Sequence, residues 1–166
     1  MMTKLSVRNV RRFTSHLALA GLLTLGSLQS ASAEASVEAV SAMTTWLKGI
    51  DAGQYGQSWQ ATSPAFQKAE PEKGWEESLA VMRTPLGNCV SRNLVSALYQ
   101  TEITTPQKVT LEGYFVVAEY ESKFANLPHA VETVTFINEG GAWKATGYDV
   151  HARLEEAERS KVGFGE

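Results

Sequence analysis

The chain has 166 residues, with 15 Lys and Arg, 18 Asp and Glu, three His, a net charge of −3 and one cysteine. Such a balance argues against nucleic acid or an anionic membrane surface as partner, because phosphate binding needs clustered Lys and Arg. A single thiol excludes an intramolecular disulfide, and Cys89, inside a strand-like run, reads as a small buried apolar residue.

Residues 1–33 read as a cleavable secretory signal. Lys4, Arg8, Arg11 and Arg12 precede an apolar run from Leu17 to Leu28, and Ala31-Ser32-Ala33 supplies the small-x-small site that a signal peptidase accepts. The run is too short for a spanning helix, which needs about 20 apolar residues. Arg11-Arg12 hints at twin-arginine export, but Thr14 and Ser15 stand where that route prefers apolar residues, so the general secretory route fits better. Cleavage after Ala33 predicts a periplasmic or secreted molecule. Residues 34–166 hold 11 basic against all 18 acidic residues, a net −7. They are expected to form one domain over 34–151 and a charged, helical C-terminal tail over 152–166.

From Glu34 to Ile50 the apolar residues Val37, Val40, Met43, Leu47 and Ile50 recur at three- and four-residue steps, predicting an amphipathic helix that Asp51-Ala52-Gly53 ends. A second helix runs from Tyr55 to Ala61, with Ser63-Pro64 as its break. Pro71 opens a third, placing Trp75, Leu79 and Met82 on one face before Thr84-Pro85-Leu86-Gly87 stops it.

The period then changes to two. Cys89 to Thr101 suits a long strand, and Thr104 to Gly113 reads as a loop. Tyr114, Val116, Ala118, Tyr120 and Phe124 alternate with Glu119, Glu121 and Lys123, as in a strand buried on one face only. Val131 to Asn138 is rich in β-branched residues, Glu139-Gly140-Gly141 makes a hairpin turn, and Trp143 to Val150 returns. Helices followed by antiparallel strands predict an α+β domain: a curved four-stranded meander wrapped around the first helix.

The phrases Trp46-Leu47, Asp51-Ala52-Gly53, Ser58-Trp59, Pro85-Leu86-Gly87, Ser91-Arg92, Val131-Glu132-Thr133-Val134 and Gly141-Ala142-Trp143-Lys144 fall in order across residues 40 to 150. In that ordered set the chain resembles a bacterial family, domain of unknown function 4019. The resemblance implies an exported protein with a cystatin-like or NTF2-like α+β roll. It implies no activity.

Candidate chemistry is sparse. His129 and His151 with one cysteine have no metal-ligand spacing, and neither a nucleophile elbow nor a phosphate loop is present, so no metal and no cofactor are expected. The aromatic residues Trp46, Trp59, Trp75, Trp143, Tyr99, Tyr120 and Tyr148 read first as core and second as the lining of a concave pocket. Arg92 and Glu132 stand out as charges inside apolar strands. They are candidates for a partly buried ion pair or for the polar end of a ligand site with Tyr120, Tyr148 and Trp59. Arg83 is expected on helix-terminal carbonyls.

Two functions are therefore expected of this chain in order of weight. The first is a non-enzymatic module binding a small molecule or an envelope protein. The second is an isomerase or hydrolase using Glu132 or Asp149 with Tyr120 or Tyr148, by analogy with other rolls of this kind. Phe115 and Val117, on the outer face of their strand, suggest a homodimer.

Overall fold

The computed structural model describes residues 23–105 and 108–153. Helix α1 (Leu23–Asp51) is followed by α2 (Tyr55–Gln60), α3 (Pro64–Ala69), α4 (Glu72–Arg83) and a 3₁₀ turn over Thr84–Leu86. Four strands complete the fold: β1 (Cys89–Thr104), β2 (Thr110–Phe124), β3 (Ala130–Glu139) and β4 (Ala142–Ala152). Each strand pairs antiparallel with its neighbour in chain order, and the sheet is open, with β1 and β4 at its edges. The expected α+β meander is thus the fold of the protein. The basic and apolar parts of the expected export signal lie largely outside the described residues, as does the expected charged tail beyond Arg153.

α1 runs from well before Ala33 to Asp51 as one helix of 29 residues. From residue 32 onward its buried residues are Ala39, Met43, Trp46, Leu47 and Ile50, the spacing of one helical face. Val37 does not join them. It is exposed because it falls off that stripe. The stripe packs on the inner sheet face, where Val116, Ala118, Tyr120, Val134, Phe136 and Ala145 complete the core with Trp75 and Leu79 of α4. Trp46 stands at the centre, 5.9 Å from the ring of Phe136 and 5.7 Å from that of Tyr148, both edge-on. Its indole donates to the Ser58 carbonyl at 2.9 Å, and the Trp75 indole donates to Ser58 Oγ at 2.9 Å. One small hydroxyl residue therefore satisfies two buried indoles.

Three local expectations are corrected. Ser63-Pro64 starts a helix as well as ending one: Ser63 Oγ accepts from the Phe66 amide at 3.2 Å and Pro64 takes the first helical position, where its missing N–H costs nothing. The loop expected over 104–113 is shorter, because β2 already begins at Thr110 and extends β1's ladder to Thr104↔Thr110. Tyr114 is exposed and Phe115 buried, the reverse of the simple alternation. β2 contacts β3 only from Phe115 onward, so Tyr114 lies beyond the covered sheet with only Tyr99 stacked on it. Phe115 folds over Gly113 beside Ile137, where a Cβ on residue 113 would stand 3.1 Å from the ring. With Phe115 buried, the outer-face patch that suggested a homodimer does not exist in that form.

Candidate functional site

Six side chains from six elements converge at the end of the inner sheet face where α1 terminates. Asp51 is the last residue of α1 and Arg83 the last of α4; Arg92 comes from β1, Ser122 from β2, Glu132 from β3 and Tyr148 from β4. The sheet register explains the strand members, since Arg92 pairs with Ser122 and both share a face with Tyr120 and Glu132. The helix ends are held independently. Gly87, in a positive-φ conformation open essentially only to glycine (φ 72°, ψ −164°), turns the chain after α4. The Ala125 and Asn126 amides then donate to the carbonyls of Asn88 and Leu86 at 2.9 Å each, tying this turn to the β2–β3 connection.

The four charges form a closed ring of alternating sign. Arg83 Nη2 lies 2.6 Å from Asp51 Oδ1, and Arg92 binds both Asp51 oxygens at 2.8 and 3.0 Å. Arg92 Nε and Nη2 also reach the two Glu132 oxygens at 2.6 and 3.0 Å, and Arg83 Nη1 closes the ring on Glu132 Oε1 at 3.2 Å. Tyr148 donates to Glu132 Oε1 at 2.6 Å while accepting from Arg83 at 2.9 Å, and Ser122 donates to Glu132 Oε2. The Arg83 guanidinium also sits 4.5 Å above the Phe124 ring, a cation–π contact. Exposure rises across the ring: 0% at Glu132, 5% at Arg83, 14% at Arg92 and 25% at Asp51. Glu132 is the floor and Asp51 the mouth.

Electrostatics follow from that geometry. Burial pushes the Asp51 carboxyl up, but the guanidiniums of Arg92 and Arg83 outweigh it and hold the group below the ordinary carboxylate value. Burial, and then the Glu132 carboxylate beside it, push the Tyr148 phenol strongly upward, so it stays a protonated donor. Burial pulls both guanidiniums down, but Tyr148, Asp51 and Glu132 outweigh it at Arg83, and Asp51 and Glu132 outweigh it at Arg92, so both stand above their ordinary value. The ring is neutral in sum. Glu132 accepts five hydrogen bonds on two oxygens that offer about four lone-pair positions. No lone pair remains to take a substrate's proton.

Of the expected site residues, the structure brings Arg92, Glu132 and Tyr148 together and leaves Tyr120 and Trp59 apart. Tyr120 is a buried neighbour whose hydroxyl lies 4.0 Å from Met43 Sδ. Trp59 spends its N–H on the Glu70 carbonyl at 2.7 Å. Asp149 is exposed and paired with His151. Arg83 turns into the ring and not onto helix-terminal carbonyls, because two carboxylates and an aromatic face compete better for a guanidinium than neutral carbonyls do. Sequence reasoning missed Asp51, read as a helix stop, and Ser122. For Ser122 a signal existed: it alternates with Tyr120 and Phe124, so its hydroxyl had to face the same interior as Arg92.

A shallow cleft of about 330 Å³ opens at the mouth, lined by Asp51, Gly53, Tyr55, Arg83 and Thr84 among others. A smaller one, about 140 Å³, lies by Ser122, Glu121, His129 and Arg153. Among the described residues, no three His, Cys, Asp or Glu side chains are grouped so as to hold a metal ion. No described helix is long and apolar enough to cross a membrane.

The class is thus an α+β domain in which an open antiparallel meander and two helix ends lock a buried ring of four charges. The chain belongs to the family described as protein of unknown function (DUF4019), whose model matches residues 42–148 and so spans the site from Asp51 to Tyr148. No curated protein is significantly similar to the chain.

Proposed function

We propose that this chain is an exported, non-enzymatic module of the cell envelope that acts by protein–protein contact. The observation that carries the reading is the saturation of Glu132: a carboxylate accepting from two guanidiniums, a phenol and a hydroxyl is a structural tie, not a general base. The inner sheet face supports it too. Ligand sites are mostly apolar concavities, whereas here the aromatic residues fill the space between α1 and the sheet. Export is supported by the order of basic, apolar and small-x-small segments. It is also supported by burial along α1: residues 32–38 include none that is buried, so processing after Ala33 leaves the packed stripe from Ala39 intact.

The competing reading, an isomerase or hydrolase, draws on one observation, the 2.6 Å contact between the Tyr148 hydroxyl and Glu132. In that contact the phenol donates to the carboxylate, which leaves neither group free for a substrate. Native mass spectrometry of the protein from a periplasmic extract tests the choice. The interaction reading expects masses of whole chains, alone or assembled. A stoichiometric small molecule lost on Arg92→Ala substitution contradicts it.

A further inference from the structure

The sheet ends at β1 with its outer row of backbone groups unpaired among the described residues. Natural proteins protect such edges with short length, Lys, Pro or bulges, because an open edge is a template for another strand. Of these devices β1 has only the bulges, at Cys89/Ser91, Leu94/Ser96 and Gln100/Glu102. It is sixteen residues long and holds neither Lys nor Pro. Along it Val90, Leu94, Val95 and Leu98 are exposed by 46 to 61%. Its charges are Arg92, folded inward onto Asp51 and Glu132, and Glu102 near the far end. From Asn93 to Thr101 the edge is uncharged and half apolar. The other edge, β4, carries Lys144, Asp149 and His151.

We propose that the free edge of β1 pairs antiparallel with β1 of a second copy, joining the two sheets across a two-fold axis. This deepens the interaction reading above and rests on it. Charge selects the occupant. The chain is net negative, so two copies repel wherever their general surfaces meet. β1 is the place where they meet without opposing like charges, in any register that overlaps Asn93–Thr101. An acidic or basic peptide finds no complement there. A two-fold interface presents one patch from both sides, so a neutral apolar strand is matched by itself. Leu94 on one sheet face and Leu98 on the other then each gain cross-strand neighbours from the second copy.

Light scattering on a sizing column, with protein from a periplasmic extract at micromolar concentration, tests the proposal. The native protein is expected at the mass of two chains, and Val95→Lys with Leu98→Lys at the mass of one, with unchanged thermal melting. Should that pair melt early, Val90→Lys, at the exposed start of the strand, is expected to shift the same equilibrium. A native monomer overturns the proposal, and so does a dimer that survives the lysine substitutions in a folded protein. A monomer whose β1 amides resist hydrogen exchange also overturns it, since another part of the chain then covers the edge. A complex with a different protein that the same lysines dissolve overturns self-pairing and leaves the interaction reading standing. A bound small molecule in the native mass spectrum removes that reading itself.

Discussion

Asp51 is the ring's most accessible member, and its two guanidinium neighbours set its ionisation. Its carboxyl is held below its ordinary value of 3.8 in the folded chain. A depressed acid adds stability that is fully present above the unfolded value and is lost as pH falls through the folded one. Urea midpoints measured from neutral to strongly acid pH are therefore expected to drop below about pH 4. Asp51→Asn is expected to lower the neutral plateau and to flatten that acid limb, because the variant has no carboxyl to protonate. A variant curve parallel to the native one places the acid sensitivity elsewhere. At this scale the sequence is legible where a residue breaks its neighbours' pattern: Arg92 and Glu132 are charges inside apolar strands, and their mutual bond follows. Asp51 breaks no pattern. An acid before Ala-Gly at a helix end looks like ordinary punctuation, and only the tertiary approach of α4 and β1 gives it two guanidiniums.

The elements themselves are easier to read than their junctions. Period-3.6 spacing over α1 and α4 and period-2 spacing over β3 follow from which face each buries, so burial and sequence agree there. Junctions depend on local bonds that composition does not separate. Ser63-Pro64 serves as a stop signal and equally as a cap followed by a first helical residue, and the neighbouring α2 end allows both. Tyr114 fails for a different reason: β2 outruns β3, so the alternation continues where nothing covers it. Gly87 is the junction on which the site depends most. Its backbone conformation is strained for any L side chain, and a Cβ would stand 3.1 Å from that of Ala125. Gly87→Ala is expected to cost about 1–3 kcal/mol in chemical denaturation. It should also weaken the Asn126–Leu86 link, visible as faster exchange of the Asn126 amide. Unchanged stability and exchange together would show that this turn does not hold Arg83 in place.

At the scale of the whole molecule, an expected export segment precedes a domain whose inner sheet face encloses four charges and whose β1 edge is uncharged from Asn93 to Thr101. Edman sequencing of the periplasmic protein is expected to begin at Glu34. A chain starting there is expected to melt within a few degrees of the full-length protein, because none of residues 34–38 at its new start is buried. A mature terminus beyond Ala39 contradicts both statements. Fold class, strand order and the α1 core stripe are visible in the sequence because they rest on periodicity. The ring is only half visible because closing it needs two helix ends and two strands at once.

Whether the ring is a structural tie or chemical machinery is decided by the unfolding free energy of Glu132→Gln against the native protein. Catalytic groups are commonly held at some cost to stability, so replacing one leaves the fold unchanged or stabilises it. Removing a carboxylate that neutralises two buried guanidiniums has the opposite effect. A loss of about 3–5 kcal/mol is expected, largely relieved when Arg83→Met removes one of the orphaned charges. A Glu132→Gln protein as stable as the native one, or more so, would contradict it.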